Sequence, residues 1–136
     1  NIFEACERFK NHPTCILNFL EGTRFSPEKH QQRNSKYTHL LSPKIGGASY
    51  VLEAMHDHLD SILDITIYYP EGVPTFWEFL SGKNKKVTMQ IKEFPIPEQS
   101  GPSSSHHKRE VQSLVEKIWE EKDLYLQDLT QESLVS

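Results

Sequence analysis

The chain has 136 residues, 36% of them hydrophobic, a formal net charge of −4 and two cysteines, which is enough for one small domain with a modest core. The negative balance argues against a general nucleic-acid binder, because a polyanion is repelled unless a local basic patch overrides it, and Cys6 with Cys15 makes neither a disulfide framework nor a metal quartet, which points to a reducing compartment. No apolar run approaches the roughly 18 residues that span a bilayer and no signal-peptide pattern is present, and neither methionine, Met55 or Met89, stands at the start, so the chain reads as a soluble piece whose initiator and any membrane anchor lie upstream.

Ile2, Ala5, Cys6 and Phe9 recur at helical spacing and Pro13 closes the segment, which predicts a first helix with Cys6 in its core face. Cys15 to Leu20 is short and nearly continuous in apolar residues, the pattern of a strand covered on both faces in a parallel sheet. Past its carboxyl end come Glu21, Gly22, Thr23 and Arg24. Ligands of open α/β sheets bind in the crevice outside the carboxyl ends of the strands, so this turn stands where a ligand is met. Gly22 permits a sharp turn and close backbone approach, and Arg24 presents a planar fork of donors matched to phosphate oxygens. Phe25 to Lys36 has no period and reads as a loop. Its Lys29, His30, Arg33 and Lys36 form a basic cast that either draws an anionic headgroup or membrane surface or is simply solvated.

Lys44 precedes Gly46-Gly47 and a helix whose Ala48, Val51, Leu52, Met55 and Leu59 line one face. A helix N-terminus beside Lys44 and Arg24 would complete an anion site, the alternative being an ordinary surface lysine. His56-Asp57-His58-Leu59-Asp60 matches most of the His-x-His-x-Asp string of binuclear metal hydrolases. On a helix, residues two apart project to nearly opposite sides and cannot share one ion, so no metal site is assigned there; His56 and Asp60 are i, i+4 neighbours instead. Ile62 to Tyr69 is a second strand, expected to be central and parallel to the first and broken by Pro70-Glu71-Gly72. Thr75 with Glu78 forms a capping box for a short helix that Gly82 closes, and Phe76, Trp77, Phe79 and Leu80 on it read as packing, with a membrane-facing edge as the alternative. Val87, Met89 and Ile91 alternate with Thr88, Gln90 and Lys92, the mark of a strand with one solvated face at or near an edge, after which Phe94 to Pro97 leaves the sheet. Gln99 to Ser105 is a Gly/Pro/Ser loop. A last helix follows, with Val111, Leu114, Val115, Ile118, Trp119 and Tyr125 on one face and a solvated remainder that includes Lys108, Arg109, Glu116, Lys117, Glu120, Glu121 and Lys122. Helices interleaved with at least three strands make an α/β fold.

The stretch Phe19-Leu20-Glu21-Gly22-Thr23-Arg24 resembles the signature of the glycerophospholipid acyltransferase family, in which the Glu-Gly-Thr-Arg motif holds the phosphate and glycerol of the acceptor. Leu40 to Gly47, Ile65 to Pro70 and Leu80 to Lys83 resemble the same family in the same order, so the likeness runs from about Phe3 to Leu124. Thr66 stands where many members carry a further proline. The resemblance implies transfer of a fatty acyl group from acyl-CoA or acyl-carrier protein to a lysophospholipid such as 1-acylglycerol-3-phosphate, with Glu21, Gly22, Thr23, Arg24 and Lys44 binding the acceptor, Arg24 on its phosphate, and Glu21 orienting Arg24 or meeting a glycerol hydroxyl. It implies no cofactor beyond the acyl donor. The family's catalytic pair is a His followed five positions on by an Asp, upstream of the turn. His12, His30, His39, His56, His58, His106 and His107 are followed at that distance by Leu17, Ser35, Lys44, Ser61, Leu63, Val111 and Gln112. Residues 1–136 are therefore expected to be the C-terminal part of one acyltransferase domain, inactive alone, whose parent is membrane-associated with its active site facing the cytoplasm. A sheet cut at its first retained strand is expected to self-associate through the bared surface. The alternative is a non-catalytic module that binds or docks on anionic lipid.

Overall fold

A computed structural model describes residues 2–83, 86–98 and 104–135. The elements run α1 (Ile2–Phe9), α2 (Pro27–Gln32), α3 (Gly46–Met55), a 3-10 turn (His56–His58), β1 (Ser61–Tyr68), α4 (Phe76–Leu80), β2 (Thr88–Pro95) and α5 (Ser104–Val135). The α/β class stands, but the described residues hold two strands rather than three. They pair antiparallel, with Ile65 opposite Ile91 and Ile67 opposite Met89. The expected parallel arrangement of β1 fails with the strand it was to lie beside.

That missing strand is Cys15 to Leu20. Residues 13–19 have no regular structure, Cys15 is exposed, and Phe19 is 76% exposed. Strand geometry needs a partner for every second backbone group; β1 pairs with β2, and no described strand pairs with 15–20. Only Leu20 turns inward, packing against the core. The basic segment after the turn is not all loop: Ser26 caps α2 by accepting from the Lys29 N–H at 3.3 Å, and Pro27 occupies the first turn. A Ser-Pro pair is a helix start, since the hydroxyl satisfies an orphan N–H and proline fixes φ.

The long α5 is the spine of the molecule. Val111, Val115, Ile118, Trp119 and Leu126 on its inner face pack with Tyr37, Leu40 and Leu52, and α3 lies between α1 and α5. Cys6 is buried as expected. The side chains of Ile2, Ala5 and Phe9 lie outside the described residues, as does the greater part of the Gln99 to Ser105 loop; Ser104 and Ser105 already belong to α5. The capping box of α4 is present in both directions, and Gly82 follows with φ 67°.

The sheet reverses its expected inside and outside. Leu63, Ile65, Ile67, Met89 and Ile91 are exposed, while Thr66 is buried and Asp64 faces α5. Alternation marks two faces but does not say which is covered. Here α5 decides: Lys122 pairs with Asp64 at 2.5 Å and donates to the Ile65 carbonyl at 3.3 Å, and Glu121 pairs with Lys92 at 3.3 Å. Lys122, expected to be solvated, is 10% exposed along its side chain. Strand β2 also continues to Pro95, past the point where it was expected to end.

Candidate functional site

The Glu21–Arg24 turn is built from local bonds and from bonds to more distant segments. Gly22 adopts φ 68° and donates its N–H to the Phe19 carbonyl at 2.9 Å, a left-handed conformation open to glycine without steric cost. The Lys44 N–H donates to the Leu20 carbonyl at 2.7 Å, which brings residue 44 beside the turn. Its side chain then lies across the glycine: a Cβ on Gly22 would sit 3.5 Å from Lys44 Cδ and 3.8 Å from Nζ. A residue with a side chain there would be strained by φ, though its Cβ would meet Lys44 at ordinary contact distance. Lys44 and the turn thus lie together in the fold, and Gly46 opens α3 two residues on.

Two further cations reach the turn, and sequence reasoning gave them no such role. Lys29, on α2, donates from Nζ to the Thr23 hydroxyl at 2.8 Å and to the Arg24 carbonyl at 3.4 Å, and Arg33 donates from a terminal guanidinium nitrogen to the Glu21 carbonyl at 2.8 Å. The Ser26-Pro27 start signal would have found them, because it places Lys29 and Arg33 four residues apart at the end of one short helix. Arg24 itself is exposed, and no hydrogen bond or ion pair ties its guanidinium to another described residue. Its five donors face solvent.

Glu21 does not orient Arg24. Its carboxylate accepts the Leu41 N–H at 3.2 Å. Burial pushes the Glu21 carboxyl above the usual carboxylate range, against the opposing pull of that N–H and of the Lys122 and Arg33 charges. Leu41 is fully buried, and its carbonyl accepts from Trp119 Nε1 at 3.0 Å. The backbone of one residue, Leu41, therefore joins the turn to α5. Beside it, the Asp123 carboxylate on α5 accepts the N–H groups of Thr38 at 2.8 Å and His39 at 2.7 Å, holding the segment that carries Leu41.

The remaining chemistry-bearing groups lie elsewhere. His56 sits in the 3-10 turn with its Nε2 3.0 Å from the Pro97 carbonyl and its Nδ1 3.3 Å from Asp57, so it meets neither His58 nor Asp60. A depression of about 430 Å3 is lined by Asn34, Lys36, Tyr37, Ser42, Pro43, Ile45, Gln112 and Glu116, none of them from the Glu21–Arg24 turn. The turn is an open surface carrying Arg24 and Lys44, with Lys29 and Arg33 bracing it from behind. Chemically it can hold an anion; it offers no group poised for proton transfer.

Comparison with known proteins bears on the family alone. Over 125 residues the chain is 30% identical to lysocardiolipin acyltransferase 1 of Gallus gallus, covering 83% of the chain and 32% of the relative. It is 28% identical over 133 residues to the Mus musculus protein of the same name, covering 89% of the chain and 34% of the relative. Against the Danio rerio protein it is 25% identical over 127 residues, covering 85% and 31%. The chain spans about a third of the length of these curated relatives. No family model and no solved structure matches it. The named relatives support a place for this chain in the glycerophospholipid acyltransferase family.

Proposed function

We propose that the chain is the acceptor-binding, C-terminal part of an acyltransferase domain that moves a fatty acyl group from acyl-CoA or acyl-carrier protein to the hydroxyl of a lysophospholipid. The observation that carries this reading is the Lys44 side chain laid across Gly22, in the turn that also carries the exposed Arg24. Arg24 would grip an acceptor phosphate through two parallel N–H bonds, and Lys44 would add a point charge. Gly22 would leave room for the headgroup, while Thr23 and Glu21 would hold the turn's shape through Lys29 and Leu41.

In this scheme the proton-transfer pair lies N-terminal to Asn1, since no histidine in the chain has an aspartate five positions on. The imidazole takes the proton of the acceptor hydroxyl, the oxygen attacks the thioester carbonyl, and the thiol leaves. The chain alone is expected to release no thiol from acyl-CoA in the presence of lysophosphatidic acid. Calorimetric titration of the chain with lysophosphatidic acid tests the binding half directly: Arg24→Ala and Lys44→Ala should each weaken binding by about tenfold, and Arg24→Lys should restore only part of the loss. Equal affinity for a monoacylglycerol lacking the phosphate would overturn the assignment. The lack of an in-chain His and Asp pair also fits a non-catalytic anionic-lipid module; the pair's presence in the sequence preceding Asn1 separates the two readings.

A further inference from the structure

The connection between β1 and β2 carries an apolar element that the rest of the fold leaves uncovered. Val73 is 81% exposed, Phe76 68%, Trp77 76%, Phe79 64% and Leu80 60%. Helix α4 packs against no other helix or strand among the described residues. Expected to contribute packing, these aromatics contribute none. Yet α4 is a formed helix, held by its own cap: the Thr75 N–H and hydroxyl donate to the Glu78 carboxylate at 2.8 and 2.9 Å, and the Glu78 N–H donates back to the Thr75 hydroxyl at 3.3 Å. The turns on either side pass through Gly72 at φ 89° and Gly82 at φ 67°. A five-residue helix is marginal in water without tertiary support, so an element that shows its aromatics on every side and spends its one acid on its own cap is shaped for a surface outside the molecule.

The chemistry names that surface. Tryptophan and phenylalanine settle at the boundary between lipid headgroups and acyl chains. Directly after the helix come Lys83, Lys85 and Lys86, three cations within four residues, and juxtamembrane lysines are drawn to anionic headgroups. We infer that α4 is a membrane-interface anchor: Phe76, Trp77, Phe79 and Leu80 enter the headgroup boundary of an anionic bilayer while Lys83 and Lys86 meet its phosphates. The inference rests on the exposure and charge of this connection and is independent of what the Glu21–Arg24 turn binds.

Trp77 supplies its own reporter, because the chain's other tryptophan, Trp119, is buried. The intact chain is mixed with vesicles of phosphatidylcholine containing phosphatidylglycerol, and its emission is followed. The expected result is a blue shift, quenched by bromine-labelled acyl chains and abolished by Trp77→Phe. Phe76→Ser with Phe79→Ser, which keeps Trp77 and the cap, should weaken vesicle binding by about tenfold or more with an unchanged far-ultraviolet circular dichroism spectrum. Lys83→Gln with Lys86→Gln should weaken it as well, and added salt should have less effect on that variant than on the parent. Absence of a blue shift, equal binding to phosphatidylcholine alone, or a shift that grows with protein concentration without lipid, which would mean a second copy covers α4, each overturns the proposal. Phe76→Ser with Phe79→Ser should bind lysophosphatidic acid as the parent does, so a failed acceptor site and a failed anchor give different results.

Discussion

Glu21 shows how one side chain can be fixed by bonds and strained by burial together. Its carboxyl titrates above the ordinary 4.5 because burial outweighs the Leu41 N–H and the charges of Lys122 and Arg33. A raised pKa in the folded chain means the folded state binds the proton more tightly than the unfolded one, so stability is lost as pH rises from the unfolded value through the folded one. Glu21→Gln keeps an oxygen for the Leu41 N–H and removes the charge. Its melting temperature is expected to equal or exceed the parent's at neutral pH, with the gap closing as pH is lowered toward 4.5; a gap that widens on acidification would contradict the assigned cause. Glu78 works in the opposite sense. Its bonds to Thr75 hold the carboxyl below the usual range, so the cap of α4 is retained above the unfolded pKa and lost as pH falls through the lowered one. Acid melting curves should therefore be compared between variants rather than read as one slope.

At the scale of elements, the contact between β1 and α5 depends on a pair of opposite charges that are both nearly out of water. Asp64 and Lys122 are 13% and 10% exposed along their side chains. Removing one partner strands the other, so Lys122→Met should destabilise the chain by about 3 kcal/mol, read from urea unfolding. Adding Asp64→Leu should recover most of that loss, because an apolar pair of similar size replaces a desolvated ionic one. This pair also explains which parts of the fold the sequence disclosed. The apolar stripe of α5, the Thr75–Glu78 cap and the strand around Ile65 rest on spacing within a few residues, and all three are present. The covered side of the sheet depends on charges 29 to 58 positions away, Lys92 with Glu121 and Asp64 with Lys122, and no periodicity encodes that. Cys15 to Leu20 failed for the same reason, since a strand exists only where another offers its edge. In the candidate site, the turn could be proposed from residue types alone and Lys44 lies beside it; Lys29 and Arg33 were hidden behind an unread helix start.

At the scale of the molecule, the outward side of the sheet is a second uncovered apolar surface, formed by Leu63, Ile65 and Ile67 with Met89 and Ile91. A two-stranded sheet with one apolar side bare is marginal by itself and prone to pair with another copy. Self-association is expected here rather than at Cys15 to Leu20, and Ile65→Lys, at the centre of that side, should move the sedimenting species toward the monomer without lowering the melting temperature; unchanged association would place the contact elsewhere. The Leu41 peptide carries a different consequence. Its N–H serves Glu21 and its carbonyl serves Trp119, so the turn and the last helix meet across the backbone of one residue. During synthesis, the ribosome releases the turn long before it releases the helix that braces it. The turn thus gains its brace only late in synthesis, and a nascent chain halted before Trp119 would display every residue of the turn without the contact that ties Leu41 to α5.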